Sequence, residues 1–168
     1  MRDAVYILKC GETDKSQVSQ KAYDFVVSLA KKQLCTDDGL EIRADKNGKP
    51  YLKKYPDFHF NTSHSKDIIA VAVSSAPVGV DVEILRDVNL KIAERRFTET
   101  EKAFVKTNED FFYVWTRKEA YLKKTGQGLS RSLSSFCVLD ETNIKTFIMR
   151  ECIVSVCGDD DKDFILIN

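Results

Sequence analysis

The chain has 168 residues, 43% of them hydrophobic and 31% charged, which are ordinary values for a globular protein large enough to bury a sizeable core. Its 26 Lys and Arg balance 26 Asp and Glu, so the formal net charge is zero; that argues against a general binder of nucleic acid or of membrane surfaces, which needs excess cations, and leaves room for a local basic pocket. Cys10, Cys35, Cys137, Cys152 and Cys157 are odd in number and form no C-x-x-C pair, which favours reduced thiols in a cytoplasmic protein over a disulfide framework or a zinc site.

The first element is a strand over Ala4 to Lys9, ended by Cys10-Gly11. Its apolar run of about five residues is too short for a signal h-region, and nothing in the chain approaches the roughly 20 apolar residues of a membrane span. Asp14 or Ser16 can cap a helix running to about Leu34, since Val18, Ala22, Phe25, Val26 and Leu29 fall at helical spacing. A short strand over Leu40 to Ala44 leads into the turn Asp45-Lys46-Asn47-Gly48. Phe58 and Phe60 alternate with His59 and Asn61 as in a half-buried strand, and Asn61-Thr62-Ser63-His64-Ser65 follows as a polar turn. Residues 67–74 are mostly apolar and β-branched enough for a central strand, although a helix fits their period as well.

Ser74-Ser75-Ala76-Pro77 marks a boundary, which divides the chain into residues 1–75 and 76–168. Val78 to Leu85 is a strand of period two, with Val80, Val82 and Ile84 on one side and Asp81 and Glu83 on the other. A short helix is predicted over residues 88–95. Thr98-Glu99-Thr100-Glu101 has the capping-box pattern for another, reaching Lys106. Phe111 to Lys124 reads as one long helix stopped by Gly126 and Gly128. On it Trp115, Glu119 and Lys123 share a stripe, beside a largely apolar core-facing stripe of Phe111, Trp115, Lys118 and Leu122. Residues 136–139, 145–149, 152–156 and 164–167 read as strands, with a charged hairpin tip over 159–163. Each part of the chain thus runs from helix to strands at comparable length, which suggests a structural pseudo-repeat.

Two carboxylates at i, i+2 on one strand, Asp81 and Glu83, project from the same face roughly 7 Å apart, and no neighbour in sequence neutralises them. A solvated strand face is one reading. The other is a Mg²⁺ site, because Mg²⁺ takes hard oxygens from one or two carboxylates and from substrate phosphates, with Glu119 as a third carboxylate supplied by the helix. Glu119 and Lys123 can also form a simple i, i+4 ion pair. His64 sits among hydroxyls and backbone N–H groups suited to a phosphate, or is an ordinary loop histidine.

Taken in order, Gly48-Lys49-Pro50, FNTSHS at 60–65, GVDVE at 79–83, FTETE at 97–101 and WTRKEAYLKKTGQGL at 115–129 resemble the signature set of the Sfp-type 4′-phosphopantetheinyl transferases. The resemblance covers residues 48–129. It implies an α+β fold of two similar α/β lobes related by a pseudo-two-fold, with coenzyme A in the cleft between them. It also implies transfer of the phosphopantetheine arm of coenzyme A to a serine of an apo acyl or peptidyl carrier protein, leaving 3′,5′-ADP. On the matching positions, Asp81, Glu83 and Glu119 surround Mg²⁺ on the pyrophosphate. Glu119 is also the candidate base for the carrier serine, Lys123 neutralises phosphate charge, and Lys49, Ser63 and His64 contact coenzyme A phosphates. Trp115 and Phe97 are assigned to packing.

The chain departs from the family where Lys66 follows Ser63-His64-Ser65 in place of a frequent glycine. It is short for the two-lobe type, and the family's N-terminal basic elements are unmatched, Lys31 and Lys32 being candidates by position alone. A non-catalytic module that binds coenzyme A or a carrier is the alternative, and a metal-dependent phosphohydrolase a third reading. A pseudo-repeat in which one chain supplies both walls of the cleft favours a monomer.

Overall fold

A computed structural model describes residues 3–11, 14–126, 131–159 and 163–168. Strand β1 (Ala4–Lys9) lies where its apolar alternation predicts, and helix α1 (Lys15–Leu34) follows, closing on Cys35 in the left-handed conformation. The turn over Asp45 to Gly48 joins a two-stranded hairpin of β2 (Ile42–Ala44) and β3 (Pro50–Leu52). Two longer strands come next, β4 (His59–Ser65) and β5 (Ile68–Ser74). The polar cluster at 61–65 is therefore a strand and not the expected turn, and its ladder with β5 runs in register from His59↔Ser74 to Ser65↔Ile68. Lys66 takes a positive φ of 52° in the tight turn that follows, where a glycine would be free of the Cβ clash.

After β6 (Gly79–Ile84) come a 3₁₀ turn at Leu90–Ile92 and three helices, α2 (Ala93–Arg96), α3 (Glu99–Phe104) and α4 (Asn108–Thr125). Thr98 and Glu101 form the predicted capping box, and Thr107 with Asp110 forms a second one that starts α4 a turn earlier than its apolar period suggests. Gly126 caps α4 at φ 66°, while Gly128 and Leu129 lie outside the described residues. Strands β7 (Ile144–Ile148), β8 (Cys152–Cys157) and β9 (Ile165–Ile167) complete the chain, and residues 160–162 of the expected hairpin tip are outside the described set.

The strand predicted over residues 136–139 is absent. The backbone there is satisfied by buried side chains in place of a neighbouring strand: the Val138 N–H donates to Glu101 Oε1 at 2.9 Å, and its carbonyl accepts from Arg117 Nε at 2.8 Å. A segment whose partners are side chains has no need of a ladder.

This is a mixed α+β fold in which the larger sheet has the order β4-β5-β1-β9 and the smaller one β6-β8-β7. Strand β9 pairs with β1 in parallel, so the last strand joins the sheet built from the first half of the chain, outside the expected division at residue 75. Alternation sorts the apolar side chains into three cores. Ile69, Val71 and Val73 of β5 pack with Val18, Ala22, Val26 and Ala30 of α1. Ala70 and Ala72 meet Val80, Val82, Val154 and Val156 between the two sheets. Ile153 and Cys157 pack under Phe111, Phe112, Val114 and Ala120 of α4. The layers therefore run helix, sheet, sheet, helix. Both β5 and β8 are buried along their whole length, which is why their sequences read as nearly continuous apolar runs, with Ser74 and Ser155 as the polar exceptions.

Candidate functional site

Strands β4 and β6 are edge strands of different sheets, and they face each other. One edge of β6 pairs with β8, while the N–H groups on its other edge go to side chains of β4. The Val80 N–H donates to Asn61 Oδ1 at 3.0 Å, the Val82 N–H to Ser63 Oγ at 3.3 Å, and the Ile84 N–H to Ser65 Oγ at 3.2 Å. Three alternate side chains thus replace a backbone ladder. The period-two pattern Asn61-x-Ser63-x-Ser65 opposite Val80-x-Val82-x-Ile84 was the available signal, and sequence reasoning missed it.

Val80 and Val82 point between the sheets, so Asp81 and Glu83 point toward α4. Gly79 lets the helix approach. A Cβ built there would lie 2.1 Å from the Ala120 carbonyl oxygen and 2.3 Å from the Lys124 nitrogen, both helix backbone. With no side chain between them, α4 rests directly on β6, and Glu119 and Lys123 come beside Asp81.

Lys123 Nζ lies 2.7 Å from Asp81 Oδ1 and 3.0 Å from Ser63 Oγ. Ser63 Oγ donates to the same Asp81 oxygen at 2.8 Å. The i, i+4 pairing of Glu119 with Lys123 is not formed, because Lys123 is committed to Asp81. Glu83 is neutralised after all by a near neighbour in sequence: its Oε2 accepts from Arg86 Nη1 at 2.8 Å and from Ser65 Oγ at 2.9 Å. Among the described residues, Asp81 Oδ2, Glu83 Oε1 and the whole Glu119 carboxylate have no hydrogen bond or ion pair. Burial pushes the Asp81 carboxyl up from its ordinary range, with Lys123 and Ser63 opposing. Burial first, and then the neighbouring Asp81 charge, push Glu119 up as well.

The other expected contacts fall differently. Ser63 is 8% exposed and its hydroxyl is fully engaged, so it faces the joint between the sheets and not an open phosphate surface. His64 is exposed and leaves β4 from the opposite face. Lys49 Nζ donates to the Lys124 carbonyl at 2.6 Å, where its charge suits the C-terminal end of α4. Lys31 lies in the last turn of α1, on the far side of the larger sheet. Trp115 stacks on Phe111 at 5.7 Å, and Phe97 is buried, both as predicted.

Among the described residues no three His, Cys, Asp or Glu side chains form a group that could hold a metal ion. The expected grip by three carboxylates is thus not closed by protein atoms alone. The free donors do suit a hard divalent cation: they are carboxylate oxygens, close enough to repel one another, and Mg²⁺ commonly takes one or two carboxylates and completes its shell with water and substrate phosphate. The profile of the 4′-phosphopantetheinyl transferase superfamily matches residues 77–161, which hold β6, α4 and the site's Asp81, Glu83, Glu119 and Lys123. Three similar proteins bear the same family name. Over 96 residues the chain is 45% identical to the 4′-phosphopantetheinyl transferase psf-1 of Bacillus pumilus, covering 54% of this chain and 41% of that protein. It is 40% identical over 106 residues to a 4′-phosphopantetheinyl transferase of Bacillus subtilis, covering 60% and 47%. It is also 40% identical over 97 residues to the 4′-phosphopantetheinyl transferase Sfp of Bacillus subtilis strain 168, covering 54% and 43%. The chain spans less than half the length of these relatives.

Proposed function

Because this chain belongs to the 4′-phosphopantetheinyl transferase superfamily, we propose that it transfers the 4′-phosphopantetheine moiety of coenzyme A to a serine of an apo acyl or peptidyl carrier protein. The reaction is of the holo-[acyl-carrier-protein] synthase type, depends on Mg²⁺ and releases 3′,5′-ADP. The observation that carries this reading is the seating of α4 on β6 at Gly79, which sets Glu119 and Lys123 against Asp81.

Asp81 and Glu119, with Glu83 beside them, are the residues that would hold the ion. When bound, Mg²⁺ offsets the negative charge of the pyrophosphate and of the leaving group. Glu119 takes the proton of the incoming serine, directly or through a water, as a carboxylate with no hydrogen bond or ion pair among the described residues is free to do. Lys123 supplies a fixed positive charge beside the phosphates, and the remaining work is in-line positioning, which phosphoryl transfer chiefly requires. His64 is accessible to a coenzyme A phosphate. Lys49 reaches one only by leaving the Lys124 carbonyl.

We place coenzyme A where β4 meets β6, between two helix-on-sheet halves related by a pseudo-two-fold, so that a monomer supplies both walls. A groove of about 880 Å³ opens one helical turn from Glu119; Lys91, Arg95 and Arg96 outnumber Glu94 along it, with Asn89, Ile92 and Trp115 completing the lining, and that balance suits the approach of an acidic protein surface. Five free cysteines agree with a cytoplasmic protein, and no described helix is long and apolar enough to cross a membrane.

Incubation of apo carrier protein with coenzyme A and Mg²⁺ tests the reading by mass spectrometry. The parent adds the phosphopantetheine mass to the carrier serine, and Asp81→Ala, still folded by circular dichroism, does not. Transfer by Asp81→Ala at the parent's rate removes the metal assignment, and binding of coenzyme A with no turnover across a panel of carriers makes the chain a binding module.

A further inference from the structure

We propose that Ser63 and Ser65 are positioning residues that each pin one oxygen of a site carboxylate, Asp81 and Glu83 respectively, and so aim the second oxygen of each at the metal. The inference rests on the transferase reading of the site. A serine hydroxyl has one proton to give and two lone pairs to fill. At Ser63 the Val82 N–H and the Lys123 ammonium fill both lone pairs, at 3.3 and 3.0 Å. Its proton then has one destination, Asp81 Oδ1 at 2.8 Å. Ser65 repeats the arrangement one step along the strand: it accepts the Ile84 N–H at 3.2 Å and donates to Glu83 Oε2 at 2.9 Å. The polarity of both hydroxyls is thereby set by the backbone of the same strand that carries the carboxylates.

The consequence is geometric. Asp81 and Glu83 cannot rotate freely about their last bonds, and the oxygens left unbonded among the described residues, Asp81 Oδ2 and Glu83 Oε1, are held in fixed directions. Residues that orient a metal's carboxylate ligands from behind typically change metal affinity about 10- to 100-fold when removed. Asn61 serves as an internal control. It lies on the same face of β4 and accepts the Val80 N–H at 3.0 Å, yet bonds to no carboxylate. Loss of Asn61 removes a rung of the joint between the sheets without loosening a ligand.

The test is calorimetric titration of Mg²⁺ into the protein saturated with coenzyme A, with no carrier present, alongside thermal melts. Ser63→Ala and Ser65→Ala weaken Mg²⁺ binding by about tenfold or more, Ser65→Thr restores it, and Asn61→Ala lowers the melting temperature with Mg²⁺ binding unchanged. Parent-like Mg²⁺ binding by Ser65→Ala overturns the positioning role while the transferase reading stands. Equal weakening by Asn61→Ala also overturns it, since the rungs then act only as a joint. A parent that binds no Mg²⁺ in the presence of coenzyme A overturns the metal reading and this inference together.

Discussion

Helix α4 carries two lysine–carboxylate pairs little more than one turn apart, and they are built in opposite ways. Lys118 and Glu101 meet at 2.8 Å with both side chains wholly buried. Their remaining capacity is filled: Lys118 also donates to the carbonyls of Leu133 and Phe136, and Glu101 accepts from the backbone N–H groups of Thr98 and Val138. Lys123 and Asp81 meet at 2.7 Å at the edge of solvent, with Asp81 Oδ2 and the neighbouring Glu119 left without partners among the described residues. The first pair is saturated and can only hold α3, α4 and the 133–138 segment together. In the second, negative charge outweighs positive charge, which is the condition for recruiting a cation. Burial alone does not separate structural from functional ion pairs; unmet hydrogen-bonding and charge capacity does.

The sharpest way to break that contrast is Glu119→Gln. Turnover in the mass-shift assay is expected to fall about a thousandfold, while the melting temperature holds or rises, because the lost charge had no partner to lose. A pH series adds a second reading. Both Asp81 and Glu119 are shifted upward in the fold, so at these two sites the folded protein holds protons that the unfolded chain has lost, and their contribution to the stability of the metal-free protein falls as pH rises from about 4. Glu119→Gln flattens that fall. Retained turnover in this variant would show that the unpaired carboxylate is not the base.

Lys118→Met acts on the closed pair and strands the Glu101 charge, at a cost of about 3–5 kcal/mol. For a chain of this size that lowers the melting temperature by about 10 °C. An unshifted melt would mean that the pair is not the anchor described. The last test is Gly79→Ala, where the added Cβ meets helix backbone that must itself shift. Overpacking of this kind costs about 1–3 kcal/mol, and because it lifts α4 at the open pair, turnover falls with stability. Parent-like transfer by Gly79→Ala would show that the contact between α4 and β6 is slack.

The elements readable in the sequence were those whose causes are local. The α3 cap needs only Thr98 and Glu101, and the β6 alternation only Val80 to Ile84. Residues 136–139 misled because their partners, Glu101 and Arg117, are side chains distant in sequence. For the site, Asp81, Glu119 and Lys123 are brought to one place as their motifs suggested, although their chemical roles rest on the experiments above. Ser65, Asn61 and Arg86 went unassigned. The first two act across an edge-to-edge contact between sheets, a relation that no periodicity within one strand encodes. Arg86 was close in sequence to Glu83, but its reach back along the loop depends on the path of the chain after Ile84.

The parallel pairing of β9 with β1 has a consequence for how the molecule is made. Ala4 to Tyr6 receive Ile165 to Ile167 as neighbours, and the adjoining Phe164 is packed with Val5. On a ribosome that sheet stays open along β1 until nearly all of these residues have been translated, so its final edge is closed by a very long-range contact, the slowest kind to find. A nascent chain halted before Phe164 presents an apolar notch and an unpaired edge, which is the surface a chaperone would be expected to hold.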